Sequence, residues 1–515
     1  MNHFLKKNIN LLLGVFILIQ PVLDLLTGLC LHLLNINLTI GIIIRVLFLL
    51  LICYVTLFVF KKKKLLIPYS IIIIYCLLYI AGIIIYKDGG LFKEIQELVK
   101  TFYFPILLIS FYSIRDEIRI SKMTLFVTLF LYLIFIFIPL ILGLGYQSYK
   151  ITKAGTLGFY NSANEISGII SILTPIMLII MTSSKKIIPR LILILMYLTV
   201  ILMIGTKTPL LALIITCGFS LIYLWSKSIK ERQFKNLFIS ILIVLICMSS
   251  LIIIIPKTNF YKNIETHLDF LELDNIGEVF EDEELIDHFI FSQRLTFFAK
   301  KARLYKKAST YQKLFGIGYL RNNKPTKMIE MDYFDIYYSH GLVGFLLFFS
   351  IFIYVLYKVL RKNDKMTYSR YMTFISLILI IFLAFFTGHI ITAPSVSLIV
   401  IVIILSIEKR EKLDVLLINK SIDKINKKQL ENIDYTKYNI TLVIAEESKN
   451  KINKNIIIKK QPNKLLFKIF NYHNYDFSCC FDISNYNDMA QIASNNIIDL
   501  KELRKQKEEW SLSKN

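Results

Sequence analysis

The sequence is poor in cysteine, tryptophan and acidic residues: 7, 2 and 37 of 515, against 60 Lys and Arg. The cysteines show no metal-ligand spacing, so a cysteine-built metal centre is not expected. Cys30, Cys53, Cys76, Cys217 and Cys247 lie in apolar blocks and read as small buried hydrophobes. Cys479 and Cys480 are adjacent, which disfavours mutual pairing. No Asp-x-Asp metal pair stands in a convincing context outside the apolar blocks, and EDEE at 281–284 reads as a solvated acidic face. The first apolar block lacks a small-residue cleavage site, so it reads as a retained helix and not a signal peptide. No internal two-fold repeat is visible, a feature expected of many transporters.

What the chain does have is apolar length. It is 55% hydrophobic and 19% charged, with mean hydropathy +0.59. That combination indicates an all-α polytopic membrane protein. Blocks of about 20 apolar residues suit bilayer-crossing helices. Twelve spans are expected, at about 10–34, 39–60, 65–86, 101–114, 122–144, 164–182, 187–204, 208–226, 236–256, 336–358, 369–388 and 391–407. An interfacial helix, LFKEIQELVK at 91–100, is expected before the short fourth span.

Net charge is +23, but most Lys and Arg sit between apolar blocks, where they orient helices and argue against a nucleic-acid partner. KKKK at 61–64, RDEIRISK at 115–122, KKIIPR at 185–190, KSIKERQFK at 227–235 and KVLRKNDK at 358–365 alternate with neutral or mixed loops. The positive-inside rule makes the basic set cytoplasmic, along with both termini. The organisation expected is a membrane domain at 1–407, with an outward insert at 257–335, and a cytoplasmic tail at 408–515. The tail carries short strand-like runs and reads as a small α/β or partly ordered region.

Polar residues that topology does not explain collect on the outward side. GTLGFYNSANEISGII at 155–170 leads a Gly-rich loop into a helix, with Asn161, Asn164 and Glu165 at its start. Asn164 suits a helix cap, and an open helix N-terminus suits an anion or sugar hydroxyl. Lys207 is the only charge in GTKTP. It reads equally as a snorkelling cation or a functional one. The insert is acidic from Glu265 to Asp287 and basic from Arg294 to Lys327. RLTFFAKKARLYKKA has helical apolar spacing with a cationic face, and Arg294 and Arg303 suit phosphate. A salt-bridged cap formed by the two halves is the plainer alternative. Glu330, Asp332 and Asp335 stand just before an apolar run. Acids favour a helix start, which explains one of them more readily than three. Arg45 lies within a span, where Asp24 could pair with it, and His389 lies at the outer end of another.

In their order, these features resemble the O-antigen ligase and polymerase family. The resemblance rests on Pro21 and Asp24 in the first span, the G-x-x-N-x-x-N-E loop, and a basic residue between two spans. It continues with an Arg-led external helix, G-I-G at 316–318, and an acidic position before Y-x-x-G-x-x-G. It covers about residues 1–407. It implies a membrane glycosyltransferase that moves sugar chains from an undecaprenyl-diphosphate carrier to a glycan acceptor on the outer side; no metal or cofactor is expected, because Lys and Arg can neutralise the diphosphate. Lys207 and Arg294 would hold the diphosphate. Arg303, Asn161, Asn164, Glu165, Arg45 and His389 are the further substrate-site candidates. The family often has His-Asn where this chain has Glu330-Met331. A carboxylate can also take the acceptor proton, so Glu330 or Asp332 is the expected base. A flippase and a chain-length regulator are the implied protein partners. With the resemblance, an Ile/Lys/Asn-rich composition fits a Gram-positive plasma membrane and a capsule or wall polymer. A flippase for the same lipid-linked sugar is the rival reading, and a non-catalytic scaffold the third.

Overall fold

The structure, a computed structural model, describes residues 2–34, 40–86, 90–118, 120–148, 155–183, 187–230, 256, 258–273, 275–321, 324–325, 327–361 and 366–408, together with five strands between 416 and 481. The chain divides into two compact units, Met1–Glu408 and Lys409–Asn515.

The first unit is a helix bundle. Its helices are α1 (Asn2–Leu33), α2 (Ile40–Tyr54), α3 (Leu66–Tyr86), α4 (Leu91–Ser113), α5 (Lys122–Ile141), α6 (Ala163–Ser183), α7 (Ile187–Ile204) and α8 (Lys207–Lys230). Four shorter helices follow: α9 (Asn259–Phe270), α10 (Glu283–Phe289), α11 (Arg294–Lys306) and α12 (Thr310–Phe315). A two-residue hairpin, β1 (Leu320–Arg321) with β2 (Lys324–Pro325), leads to α13 (Asp332–Leu360), α14 (Tyr368–Phe386) and α15 (Pro394–Glu408).

Among the described residues, nine helices are long and apolar enough to cross a bilayer, and Pro394–Ile407 is a shorter apolar helix. Helices suit that setting because they satisfy their own backbone polar groups. Along α3, Ile67, Ile71, Ile74, Leu78 and Ile85 face outward while Tyr69, Ile72, Tyr75, Tyr79 and Ile83 are buried. Both faces are apolar, which marks a helix with one side in the bundle and one in lipid. The most enclosed helices are α6 and α15; from Val396 to Ile407 every hydrophobic side chain on α15 is buried. The expected interfacial helix at 91–100 and fourth span are one continuous helix, α4, with Pro105 inside it. The expected span at 236–256 lies outside the described residues, apart from Pro256.

Successive helices carry the connecting segments to two ends of the bundle. At one end Asn10 donates to Glu117 O at 3.1 Å, and Ser220 bonds Tyr368 at 2.8 Å. At the other, Asn263 donates to Gly205 O at 3.2 Å and Thr156 N to Met203 O at 2.9 Å. The segments 155–162, 205–206, 258–273, 275–321, 327–331 and 387–393 meet at this second end.

α13 is broken near its start. Gly341 has φ 66° and ψ −176°, so the carbonyls before it lose their helical partners. Ile317 N donates to Tyr338 O at 3.1 Å, Gly318 N to Ser339 O at 3.0 Å, and the Tyr75 hydroxyl to His340 O at 2.9 Å. The 316–318 turn therefore lies directly on the break. A Cβ at Gly316 would stand 2.0 Å from Ser339 O.

In the second unit, β3 (Leu416–Ile418), β4 (Asn439–Glu447), β5 (Lys451–Lys459), β6 (Leu465–Phe470) and β7 (Asp476–Phe481) form a sheet in the order β3-β5-β4-β6-β7. β4 and β6 pair in parallel and the other neighbours antiparallel.

Candidate active site

The three carboxylates ahead of α13 take different positions. Asp335 accepts from three consecutive backbone N–H groups, of Ile329, Glu330 and Met331, at 3.0, 2.8 and 3.3 Å. Lys301 Nζ adds a fourth bond at 3.1 Å. Asp332 accepts from the N–H groups of His389, Ile390 and Ile391 at 2.7, 2.8 and 2.9 Å, and from the Thr392 hydroxyl at 2.7 Å. A carboxylate offers about four acceptor sites, so each is fully engaged. Both are buried. Glu330, just ahead of both in the chain, is held at φ +62°, and its side chain keeps 31% exposure. Gly388, at φ +62°, fits against it; a Cβ there would lie 2.5 Å from Glu330 C and O.

Glu330 Oε2 accepts from Asn164 Nδ2 and from Arg294 Nη2, each at 3.1 Å. Arg294 Nη2 also points to Thr387 O at 3.5 Å. Its Nε is buried with no hydrogen-bond partner among the described residues. The guanidinium is therefore not saturated by the described residues, and the 12% of the Arg294 side chain that stays exposed is the part a ligand could meet. Asp287 places Arg294. Its carboxylate accepts from Leu295 N and Thr296 N, each at 2.8 Å, and from the Thr296 hydroxyl at 2.7 Å. That arrangement caps α11 from a preceding helix. Ser292 and Gln293, at φ 52° and 64°, turn the chain sharply into α11.

Lys207 begins α8 and reaches the same segment. Its Nζ donates to Phe289 O at 2.6 Å and lies 4.0 Å from the Phe289 ring centroid. His267 stacks on that ring, centroids 5.2 Å apart. Burial lowers the His267 pKa, and the Lys207 charge lowers it further.

The remaining sequence candidates divide. Ser162, not Asn164, caps α6 by accepting from Glu165 N at 3.4 Å, which leaves the Asn164 side chain for Glu330. Glu165 accepts from the Ser395 hydroxyl at 2.5 Å. Asn161 is exposed, on a loop whose backbone crosses α1 at Gly28. Arg45 bonds Asp24 at 2.5 Å and Gln20 at 2.9 Å inside the bundle, so the pairing expected across the first two spans is present. Tyr132 also donates to Asp24, at 2.5 Å. Arg303 is exposed, nine residues after Arg294, on the opposite side of α11 and about 13 Å along it. His389 is half-buried at φ +58° on the loop that Asp332 holds.

The sequence profile described as O-antigen ligase like membrane protein matches residues 6–284 and 275–408. The chain belongs to this family. No curated protein gives a significant match. As an O-antigen ligase-like protein the chain is a multi-pass membrane protein of glycosyltransferase type, acting on a lipid-linked oligosaccharide. Within this O-antigen ligase-like bundle, Glu330, Arg294 and Asn164 form a partly exposed carboxylate, cation and amide cluster. Such a cluster can take a proton and hold an anion side by side.

Behind the cluster lies a buried polar network that the sequence reading missed. Glu94 accepts from the Tyr79 hydroxyl at 2.7 Å and from Tyr319 N at 2.8 and 3.0 Å. The Tyr319 hydroxyl bonds Thr101 at 3.0 Å and His340 Nε2 at 2.9 Å. Burial raises the Tyr319 pKa well above its ordinary value, which keeps the hydroxyl a donor. These bonds tie the chain after the 316–318 turn to α4 and α13.

Proposed function

We propose that this protein polymerises or ligates undecaprenyl-diphosphate-linked oligosaccharide on the outer face of the plasma membrane, in capsule, O-antigen-like or secondary wall polysaccharide synthesis. The observation that carries the reading is the contact of Glu330 with Arg294 at the second end of the bundle. Glu330 is the general base and Arg294 the diphosphate ligand. Asn164 orients Glu330. Lys207 adds positive charge beside the segment that leads into Arg294.

In the transfer, an acceptor hydroxyl oxygen attacks the anomeric carbon of the donor sugar. The bond from that carbon to the diphosphate oxygen breaks, and the lipid diphosphate leaves with the bonding electrons. The hydroxyl proton passes to Glu330. Attack opposite the leaving group inverts the anomeric centre. Without donor, Arg294 pairs with Glu330. A bound diphosphate competes for that guanidinium and frees the carboxylate for the acceptor. Base catalysis of this type contributes about 10²–10⁴-fold, and charge stabilisation of a leaving oxyanion a similar factor.

The test is complementation of a deletion strain with wild type, Glu330→Gln or Arg294→Ala at matched expression. Surface glycan length and lipid-linked intermediates are measured. Either variant should lose long polymer and accumulate lipid-linked units on the outer leaflet. Normal polymer from both variants refutes the site, and accumulation on the inner leaflet indicates a flippase.

A further inference from the structure

We propose that Asp335 and Lys301 are positioning residues for this reaction: Asp335 fixes the turn that presents Glu330, and Lys301 fixes the rotamer of Asp335. The inference rests on the reading of Glu330 as the base.

Glu330 sits in a left-handed conformation that a side-chain-bearing residue seldom adopts. Such a conformation persists only where its surroundings hold it. The Asp335 carboxylate provides that hold by gathering the N–H groups of residues 329, 330 and 331. Three consecutive N–H groups converging on one anion fix the direction of the middle residue. Lys301 in turn bonds both Asp335 Oδ1 at 3.1 Å and the Ser339 hydroxyl at 2.9 Å. It is 4% exposed, so the ammonium is not there for solubility. Seven residues separate Arg294 from Lys301, nearly two full helical turns, so both lie on one face of α11. A single helix face thus grips Glu330 twice, at its carboxylate through Arg294 and at its backbone through Lys301 and Asp335. When a bound diphosphate draws Arg294 off the carboxylate, the backbone attachment through Lys301 and Asp335 still holds Glu330 in place beside α11.

The experiment uses the full-length protein in lipid nanodiscs, with the lipid fraction extracted from the deletion strain as donor. Asp335→Asn, Lys301→Met, Lys301→Arg and Glu330→Gln are compared with wild type. Without donor, hydrogen exchange is followed in the peptide spanning 327–334. In Asp335→Asn and Lys301→Met the amides of 329–331 should exchange at least about tenfold faster. The maximal rate should fall about 10–100-fold, as expected for a misplaced reacting group, while the half-saturating donor level stays within about threefold. Lys301→Arg should restore the rate to within about threefold of wild type. A lower melting temperature with unchanged maximal rate and exchange overturns the positioning role while leaving the base assignment standing. A fully active Glu330→Gln overturns the base assignment, and the positioning role with it.

Discussion

At the scale of single residues, two arginines of one helix separate cleanly. Arg294 touches Glu330, whereas Arg303 is exposed on the opposite side of α11. Arg294→Ala is expected to lower the rate about 10²–10³-fold, the usual effect of losing a donor to a developing oxyanion. Arg303→Ala should stay within about twofold. Arg294→Lys should recover little, because a lysine cannot offer the planar fork. Initial rates at matched protein levels decide; equal losses at 294 and 303 would mean that overall cationic charge matters and geometry does not. Glu330, Arg294 and Asn164 were legible in the sequence as unusual polar residues on one side of the membrane. The choice between Glu330 and Asp332 was not, because it depends on backbone N–H groups about sixty residues away, at 389–391. Lys301 was overlooked among ten basic residues, although its seven-residue spacing from Arg294 marked it as an inward-facing position.

At the scale of elements, the site depends on two chain segments packed without room for side chains. The turn at Glu330 meets the loop at Gly388, where a Cβ would overlap backbone at 2.5 Å and φ is +62°. Gly388→Ala therefore forces the loop off the turn, at an expected cost of about 1–3 kcal/mol. It should also reduce activity, since the loop and Glu330 move apart. Gly14 offers the contrast, with nothing within 4 Å of an added Cβ. Gly14→Ala should change stability by less than about 1 kcal/mol and leave activity intact. Thermal unfolding in detergent compares the two, and an equally stable Gly388→Ala would show that the loop is not tightly held. Helix positions followed from apolar runs, but these junctions did not. Periodicity reports which face of a helix is buried, and it is silent on which loop meets which. α4 shows the same limit. Its charged first half read as a separate interfacial helix, yet Glu94 is buried there because Tyr79 and Tyr319 satisfy it.

At the scale of the whole molecule, every member of the site comes from one end of the bundle. Asn164 opens α6, Lys207 opens α8, Arg294 opens α11 and Glu330 precedes α13. The opposite end carries the exposed Lys61–Lys64 and the segments 114–118 and 120–121. Short basic loops govern orientation, whereas segments longer than about 60 residues cross largely regardless of charge. The basic half of the insert therefore does not argue against its lying outside, and the Lys61–Lys64 end should be cytoplasmic. Lys306 and Lys62 are both exposed and report on the two ends. In intact cells Lys306→Cys should react with a membrane-impermeant maleimide, above the background of wild type. Lys62→Cys should react only after permeabilisation. The reverse pattern would put Glu330 and Arg294 in the cytoplasm, where an outward-facing lipid-linked donor could not reach them. Labelling of both from outside would break the alternation of helices on which the shared end depends. The orientation is thus the condition under which the chemistry of the cluster and the membrane location of its substrate are compatible.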